Sequence, residues 1–402
     1  MTIHLRNKHI LLGVTGSIAA YKSADLVRRL REAGAIVRVV MTENAKRFIT
    51  PLTMQAVSGF PIHEELFDLQ AEAAMGHIEL ARWADAVLVA PATADFMARL
   101  AHGHANDLLT TLCIATNAPI AIAPAMNQGM WKAGWTQDNF QALQKNHVAI
   151  FGPDAGSQAC GDIGPGRMLE PAEIVKKLSA LFSTGELAGH KVLITAGPTH
   201  EAIDPIRYMT NGSSGKMGYA LAEAAHEAGA TVTLISGPVH LPKPSHIDCI
   251  SIVSAQEMYE AVMSTVSEQD IFLSVAAVGD YRCQTIATQK IHKQAETIQL
   301  ALERNPDIVS SVAELSPKPF IVGFAAETEK VVEQAQAKFQ RKKMDIIIAN
   351  RVSAGVGMGG DENEVTVISL KKILPLPVMP KRQLARQLIT LIAKEFKSRN
   401  AS

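Results

Sequence analysis

Short unbroken apolar runs, each stopped by small or polar residues and followed by a helix-spaced stretch, recur along the 402-residue chain. His9 to Val14 (HILLGV) leads into a glycine turn, a helical pattern from Ala19 to Ala33, then Gly34 and a second run from Ile36 to Met41, which together predict a β-α-β unit. Continuous rather than alternating apolar strands predict a parallel sheet covered by helices on both faces. Further runs ending near Ala92, at Ala125 and at Pro153 complete a predicted five-stranded, doubly wound sheet. Ligands of such sheets lie beyond the carboxyl ends of the strands, where Gly16, Thr42, Thr93, Asn127 and the stretch from Phe151 to Met168 fall. That stretch, FGPDAGSQACGDIGPGRM, surrounds Cys160 with glycines and two prolines, so it is expected to be irregular, exposed and mobile. Its residues alone leave two readings open: a cover over a pocket, or a surface connection.

Pro171 to Phe182 reads as a helix with proline in its first turn and closes the first domain. Ser183 to Gly189 (STGELAG) has linker composition, and at HKVLITAGPT the plan begins again. KVLITAG, TVTLISG, IFLSVAAV, FIVGFAA, DIIIAN and EVTVISL are the strands expected there, and the segment from Lys381 to Lys397 has helical spacing. REAGAIVRVVMT and HEAGATVTLISG hold the same place in the two halves. The expectation is therefore an α/β protein of two doubly wound, mostly parallel three-layer α/β/α domains, residues 1–182 and 190–402, joined by a linker at 183–189.

Lys plus Arg equal Asp plus Glu at 39 each, with no basic tract, which argues against a nucleic-acid partner. No apolar run reaches about 18 residues, so no membrane span is expected. The four cysteines show no CxxC spacing, arguing against structural zinc or a disulfide framework. With no secretory pattern at the start, a cytoplasmic protein with free thiols is expected.

The first turn, GVTGSIA, lacks the GxGxxG pattern, and the second strand ends in Thr42 rather than an acid, which counts against a dinucleotide. Gly16 and Ser17 at a helix start, with the Thr42 hydroxyl, suit a single phosphate monoester instead. GSIAAYK, GHIELARWAD, APATADFMARLAHGHANDLL, PAMNQGMW and SQACGDIGPGRM together resemble the FMN-dependent cysteine decarboxylase family over most of residues 8–170. The resemblance implies a flavodoxin-like domain that holds FMN with Gly16, Ser17, Thr42, Ala92, Thr93 and Asn106. It also implies His77 as catalytic histidine, Asn127 as substrate-binding amide and Cys160 as the acid on a substrate flap. In that chemistry the substrate thiol is oxidised to a thioaldehyde, whose C=S group accepts the electrons released with carbon dioxide; the resulting enethiol is then protonated and re-reduced, leaving the flavin unchanged. A free thiol, with a pKa of about 8.5, is mostly protonated at neutral pH and can give that proton. Read as a residue alone, Asn127 is equally a helix cap.

AGPTHEAIDPIRYMTNGSSGKMG (Ala196 to Gly218) follows a strand and opens a helix, yet Thr210 and Met217 break the GxxxxGK[ST] pattern of a kinase. With SVAAVGDYR, KIHK, NPDIV, GFAAET and the pair Lys338 and Lys342, it resembles phosphopantothenate–cysteine ligase over most of residues 190–350. That resemblance implies a Rossmann-like domain using CTP and Mg2+ to convert the carboxylate of 4′-phosphopantothenate into an acyl-cytidylate that the cysteine amine opens. It assigns Lys290, Lys338 and Lys342 to the triphosphate, Asp280 to the nucleotide or Mg2+, and Asn211 with Arg207 to the acyl intermediate. By the same resemblance, backbone groups of Ser274, Val275, Ala276, Pro306, Asp307, Ile308, Val309 and Phe324 frame the nucleotide. Read as residues alone, the lysines of KFQRKKMD equally form a solvated face. Gly279, His292 and Arg351 depart from the usual pattern.

Together the two resemblances imply a bifunctional enzyme of coenzyme A biosynthesis whose second domain makes 4′-phosphopantothenoylcysteine and whose first decarboxylates it. They also imply a homo-oligomer, a trimer-based dodecamer. Two other readings are a flavin-binding regulatory subunit without catalysis and another flavin-fold enzyme such as a prenyltransferase.

Overall fold

The computed structural model describes residues 5–64, 76–244, 246–292, 297–327, 329–351 and 359–400. The chain forms two compact units, Met1–Phe182 and Ser183–Ser402. Of the motif residues, Lys293 and Thr328 lie outside the described residues.

The first unit runs β1 (His9–Val14), α1 (Tyr21–Glu32), β2 (Ile36–Met41), α2 (Pro51–Ser58), α3 (His77–Trp83), β3 (Ala86–Ala92), α4 (Ala94–Ala101), α5 (Leu108–Ala115), β4 (Ile120–Pro124), α6 (Gln128–Lys132), α7 (Gly134–Lys145), β5 (Ala149–Ile150), β6 (Asp154–Ser157), β7 (Ile163–Arg167) and α8 (Pro171–Ala180). Its sheet has the parallel order β2-β1-β3-β4-β5, the flavodoxin-like order. Alternate residues of the unbroken runs feed opposite faces. Ile10, Leu12 and Val14 pack with Leu26 and Leu30 of α1 and Ile174 of α8, while Leu11 packs with Phe96, Leu109 and Leu112. The last predicted strand shrinks to two residues, Ala149–Ile150.

The Cys160 segment is exposed, as expected, but it is not irregular. It is a β-hairpin, with Ala155, Gly156 and Ser157 paired antiparallel to Pro165, Gly164 and Ile163. Its glycines permit close packing. A Cβ on Gly166 would lie 2.3 Å from Met126 O, and one on Gly164 would lie 2.2 Å from Gln128 Oε1, so the hairpin lies flat on the start of α6. Gly166 O accepts from Met126 N at 2.9 Å.

The second unit runs β8 (Lys191–Ala196), β9 (His200–Ala202), β10 (Tyr208–Thr210), α9 (Lys216–Glu227), β11 (Thr231–Ser236), β12 (Asp248–Ser251), α10 (Ala255–Thr265), β13 (Ile271–Ser274), β14 (Tyr281–Cys283), β15 (Leu302–Arg304), α11 (Ile308–Ala313), β16 (Phe320–Glu327), α12 (Val331–Arg341), β17 (Ile346–Arg351), β18 (Glu362–Ser369), β19 (Ile373–Pro380) and α13 (Lys381–Asn400). The order β12-β11-β8-β13-β16-β17 is the parallel Rossmann arrangement, extended by antiparallel β18 and β19. β12, β19 and the short ribbons β9-β10 and β14-β15 were not among the expected strands. Val192 and Ile194 face α9 and α13, and Leu193 faces α10 and α12.

Candidate functional site

The carboxyl edge of the first sheet gathers side chains from several loops. At the switch point between β1 and β3, Thr15 Oγ1 donates to Pro91 O (2.8 Å) and accepts from Thr93 N (3.1 Å), tying the two loops together. Gly16 abuts the next loop, since a Cβ there would meet Asn44 Cβ at 2.5 Å. Ser17 Oγ accepts from Ala19 N at 3.3 Å, which leaves its hydroxyl hydrogen to donate outward. Thr42 is half-buried at the end of β2, with its N–H given to Val14 O. Thr93 caps α4 by accepting from Phe96 N, and Ala92 is buried, its carbonyl accepting from Ala125 N. Asn106 is exposed immediately before Asp107, the residue that caps α5. His77 is the half-buried first residue of α3. A helix that feeds a parallel strand runs antiparallel to it, so the start of α3 lies at the same carboxyl edge.

Asn127 performs two tasks at once. Its Oδ1 caps α6 by accepting from Gly129 N at 2.7 Å, and its Nδ2 points to the hairpin tip. There it approaches Asp162 Oδ2 at 2.8 Å, Cys160 Sγ at 3.2 Å and Gln158 Oε1 at 3.3 Å. The structure thus joins Asn127 to Cys160. Of the four thiols only Cys160 is exposed; Cys113 is buried, and burial pushes its thiol up to about 12.

In the second unit the switch point lies between β8 and β13. Thr195 Oγ1 accepts from Val275 N (3.2 Å) and Ala276 N (3.3 Å), so these N–H groups serve the fold. Asn211 Nδ2 donates to Ala277 O at 2.8 Å. Arg207 is engaged too. Its guanidinium holds the buried Asp204 carboxylate and donates to Ile291 O at 2.7 Å, and Asp204 also accepts from Ile206 N, Arg207 N and Ile291 N. The Arg207 guanidinium, with these N–H groups, keeps the Asp204 carboxyl well below the usual carboxylate range despite the opposing effect of burial. This arch fixes the residue next to Lys290, whose own side chain is exposed.

A second cluster joins α12 to the start of α11. Lys342 Nζ lies 2.9 Å from Asp307 Oδ1, and Asp307 caps α11 through Ser310 N. Burial works against the charged form of Asp307, but Lys342 and the Ser310 N–H outweigh it and lower its pKa. Burial, reinforced by Lys342, pulls the Lys338 ammonium below the ordinary lysine value, while Glu327 and Asp280 act in the other direction. Exposed Asp280 joins the cluster through its carbonyl, which accepts from Asn305 N at 2.9 Å. Pro306 and Phe324 are half-buried, and Ile308 and Val309 are buried on the first turn of α11. Ser274 pairs with Thr195 on one side and Gly323 on the other.

Residues 2–183 match the family described as Flavoprotein, and residues 187–396 match the DNA/pantothenate metabolism flavoprotein C-terminal domain. The chain is 55% identical over 396 residues to the coenzyme A biosynthesis bifunctional protein CoaBC of Vibrio cholerae, covering 98% of this chain and 99% of that protein. The chain belongs to the coenzyme A biosynthesis bifunctional protein family. The Escherichia coli member is 51% identical over 402 residues, covering 98% of this chain and 99% of its own length. A crystallised C-terminal domain of a CoaBC protein is similar at 39% identity with a TM-score of 0.46, over 53% of this chain and 99% of that one. As a family member the chain is a bifunctional enzyme of coenzyme A biosynthesis, a flavoprotein combining decarboxylation with cysteine ligation.

Several residues at these sites escaped the sequence reading. Thr15, Gln158 and Asp162 sit in or beside quoted motifs, but their partners are more than 30 positions away. Asp204 and Thr195 organise the second site from inside the fold, where only the acid three residues before Arg207 gave a local signal.

Proposed function

We propose that the first unit decarboxylates 4′-phosphopantothenoylcysteine with FMN and that the second unit makes this substrate from 4′-phosphopantothenate and cysteine with CTP and Mg2+. The observation that carries the reading is the Asn127–Cys160 contact at the carboxyl edge of a flavodoxin-ordered sheet. The residues at the β1/β3 switch point fit a flavin phosphate: Gly16 keeps the loop tight, and Ser17, Thr42 and Thr93 bring hydroxyls without a carboxylate among them. When bound, FMN takes up and returns the electron pair that makes the substrate carboxylate labile. Asn127, with Oδ1 locked in the cap, presents Nδ2 to the substrate carboxylate. Cys160 supplies the proton for the carbon that loses carbon dioxide, and His77 orients the substrate.

In the second unit Lys290, Lys338 and Lys342 neutralise the triphosphate, and the Asp204–Arg207 arch positions the Lys290 segment. Asn211 and Arg207 flank the acyl group. Val275 and Ala276 frame the nucleotide through surfaces other than their N–H groups. Asn305 Oδ1 is buried without a hydrogen-bond partner among the described residues, and it suits an amino group such as that of cytosine. The described residues contain no cluster of three metal-binding side chains. Asp280 alone therefore fits a magnesium ion held mostly by phosphate and water.

The resemblance also supports a cytoplasmic homo-oligomer, a trimer-based dodecamer; no helix of the described residues is long and apolar enough to cross a membrane. The test is to supply purified protein with 4′-phosphopantothenate, cysteine, CTP and magnesium. 4′-Phosphopantetheine, carbon dioxide and CMP should form, and the protein should carry the visible absorption of flavin. A colourless protein that FMN cannot reconstitute, or amide formation without CTP, would sink the corresponding half.

A further inference from the structure

The Asn127 amide has no freedom to choose its orientation. Rotating it would sacrifice the 2.7 Å cap to Gly129 N, so Nδ2 must face the hairpin tip. Two N–H hydrogens there meet three acceptors, Asp162 Oδ2, Cys160 Sγ and Gln158 Oε1. Gln158 Oε1 already accepts from Gln128 N at 2.9 Å, and a thiol sulfur is a weak acceptor. Asp162 is the closest, and an ionised carboxylate makes the strongest bond of the three. One hydrogen of the amide assigned to the substrate carboxylate is thus already taken by a carboxylate of the chain itself.

We propose that Asp162 is a positioning residue that stands in for the substrate carboxylate on Asn127 Nδ2 and so times the arrival of the Cys160 thiol. The inference rests on the reading of Asn127 and Cys160 given above. Substrate binding displaces Asp162, because two carboxylates brought to the two hydrogens of one amide nitrogen repel each other at hydrogen-bond range. Loss of carbon dioxide vacates the donor, Asp162 returns, and the hairpin tip comes back with it. That return matters because the proton is needed on the same carbon that carried the carboxylate. With Asp162 docked, Cys160 Sγ lies 3.2 Å from the atom that marked the carboxylate position. The timed step is a proton transfer: the Cys160 S–H bond breaks, a C–H bond forms on that carbon, and water reprotonates the thiolate.

The test uses the full-length, flavin-loaded enzyme with 4′-phosphopantothenoylcysteine. Carbon dioxide release, enethiol and 4′-phosphopantetheine are followed separately for Asp162→Asn, Asp162→Glu and Cys160→Ser. Asp162→Asn removes the competing charge, so KM should fall by about threefold to tenfold. Carbon dioxide release should persist, with enethiol accumulating and 4′-phosphopantetheine formation slowed at least about tenfold. Asp162→Glu, which keeps the carboxylate, should restore most of the product. Wild-type partitioning in Asp162→Asn, or a raised KM with the protonation step unchanged, overturns the proposal. Cys160→Ser separates the two levels. If it gives no enethiol, the flap reading itself fails; if it gives enethiol while Asp162→Asn behaves as wild type, only the role of Asp162 fails.

Discussion

At the β1/β3 switch point Thr15 Oγ1 bridges Pro91 and Thr93, and at the β8/β13 switch point Thr195 Oγ1 accepts from Val275 and Ala276. Both units close the same topological gap with a threonine hydroxyl, yet the side chains around the two gaps differ in kind. The first holds hydroxyls, amides, one imidazole and one exposed thiol, with Asp162 as the acid at the hairpin tip. The candidates of the second unit are charged: Lys290, Lys338, Lys342, Asp280, the Lys342–Asp307 pair and the Arg207–Asp204 pair. A reaction whose electrons pass through a cofactor asks its protein for placement and a proton, whereas joining a polyanion to a carboxylate asks for fixed charge. The fold supplies the crevice, and the loops decide which demand it meets.

Disabling each crevice separately should separate the two activities. Cys160→Ser should slow 4′-phosphopantetheine formation by about 10² to 10⁴-fold, the usual weight of a positioned acid, while ligation continues at the wild-type rate. Lys290→Gln should lower CTP-dependent amide formation by about 10²-fold and leave decarboxylation of added 4′-phosphopantothenoylcysteine intact. Both rates are read from one incubation with either substrate. Loss of both activities in either variant would mean that the crevices are not independent.

The strands were legible because burial on both faces forces continuous apolar runs, as Ile10, Leu11 and Leu12 illustrate by feeding two cores. β12 escaped because DCIS is short and polar at both ends, and β19 because Pro375 and Pro377 read as strand breakers. An edge position resolves the second case, since a strand at the end of a sheet has a free hydrogen-bonding side. The hairpin around Cys160 is hidden for a related reason: glycine signals freedom in a sequence, but Gly164 serves close approach and Gly166 combines close approach with a φ of +145°. Candidate site residues could be named where long motifs carry them. Their partners could not be, because a motif places Arg207 or Val275 on a loop without showing that Asp204 and Thr195 hold it from beneath.

Charge in the second crevice also makes a prediction that the first cannot share. Lys338, proposed to meet the triphosphate, is held below the ordinary lysine value by burial and by Lys342, against Glu327 and Asp280. Its cation is therefore lost as pH rises through that lowered value, before a free lysine would titrate at about 10.4. CTP affinity, measured by calorimetry across alkaline pH, should fall roughly tenfold through this limb. Lys338→Arg stays charged and should remove the limb from the accessible range. A limb that persists in Lys338→Arg would overturn the assignment to Lys338.

Two glycines give the smallest effects and a contrast of their own. Gly16 and Gly279 each lie in a crevice loop, and neither has a left-handed φ, so only space limits a side chain. An alanine Cβ at 16 would meet Asn44 Cβ at 2.5 Å and the Asn44 carbonyl carbon at 3.0 Å, so the loop backbone must move. Gly16→Ala should therefore cost about 1–3 kcal/mol, the range of overpacking, and weaken flavin retention. At 279 the nearest atoms are Glu201 Cγ at 3.2 Å, with Glu201 Oε1 and Thr199 Oγ1 at 3.5 Å. Glu201 can yield by a few tenths of an ångström only against its 3.0 Å bond to Ala255 N, so some strain remains. Removing a glycine also narrows the unfolded ensemble, which returns about 0.4–1 kcal/mol. The two terms nearly cancel, and Gly279→Ala should change the stability of the second unit by less than about 0.5 kcal/mol. Thermal unfolding of the two variants reads both values. An equal loss at the two positions would show that the loops, rather than the atoms they touch, set the cost.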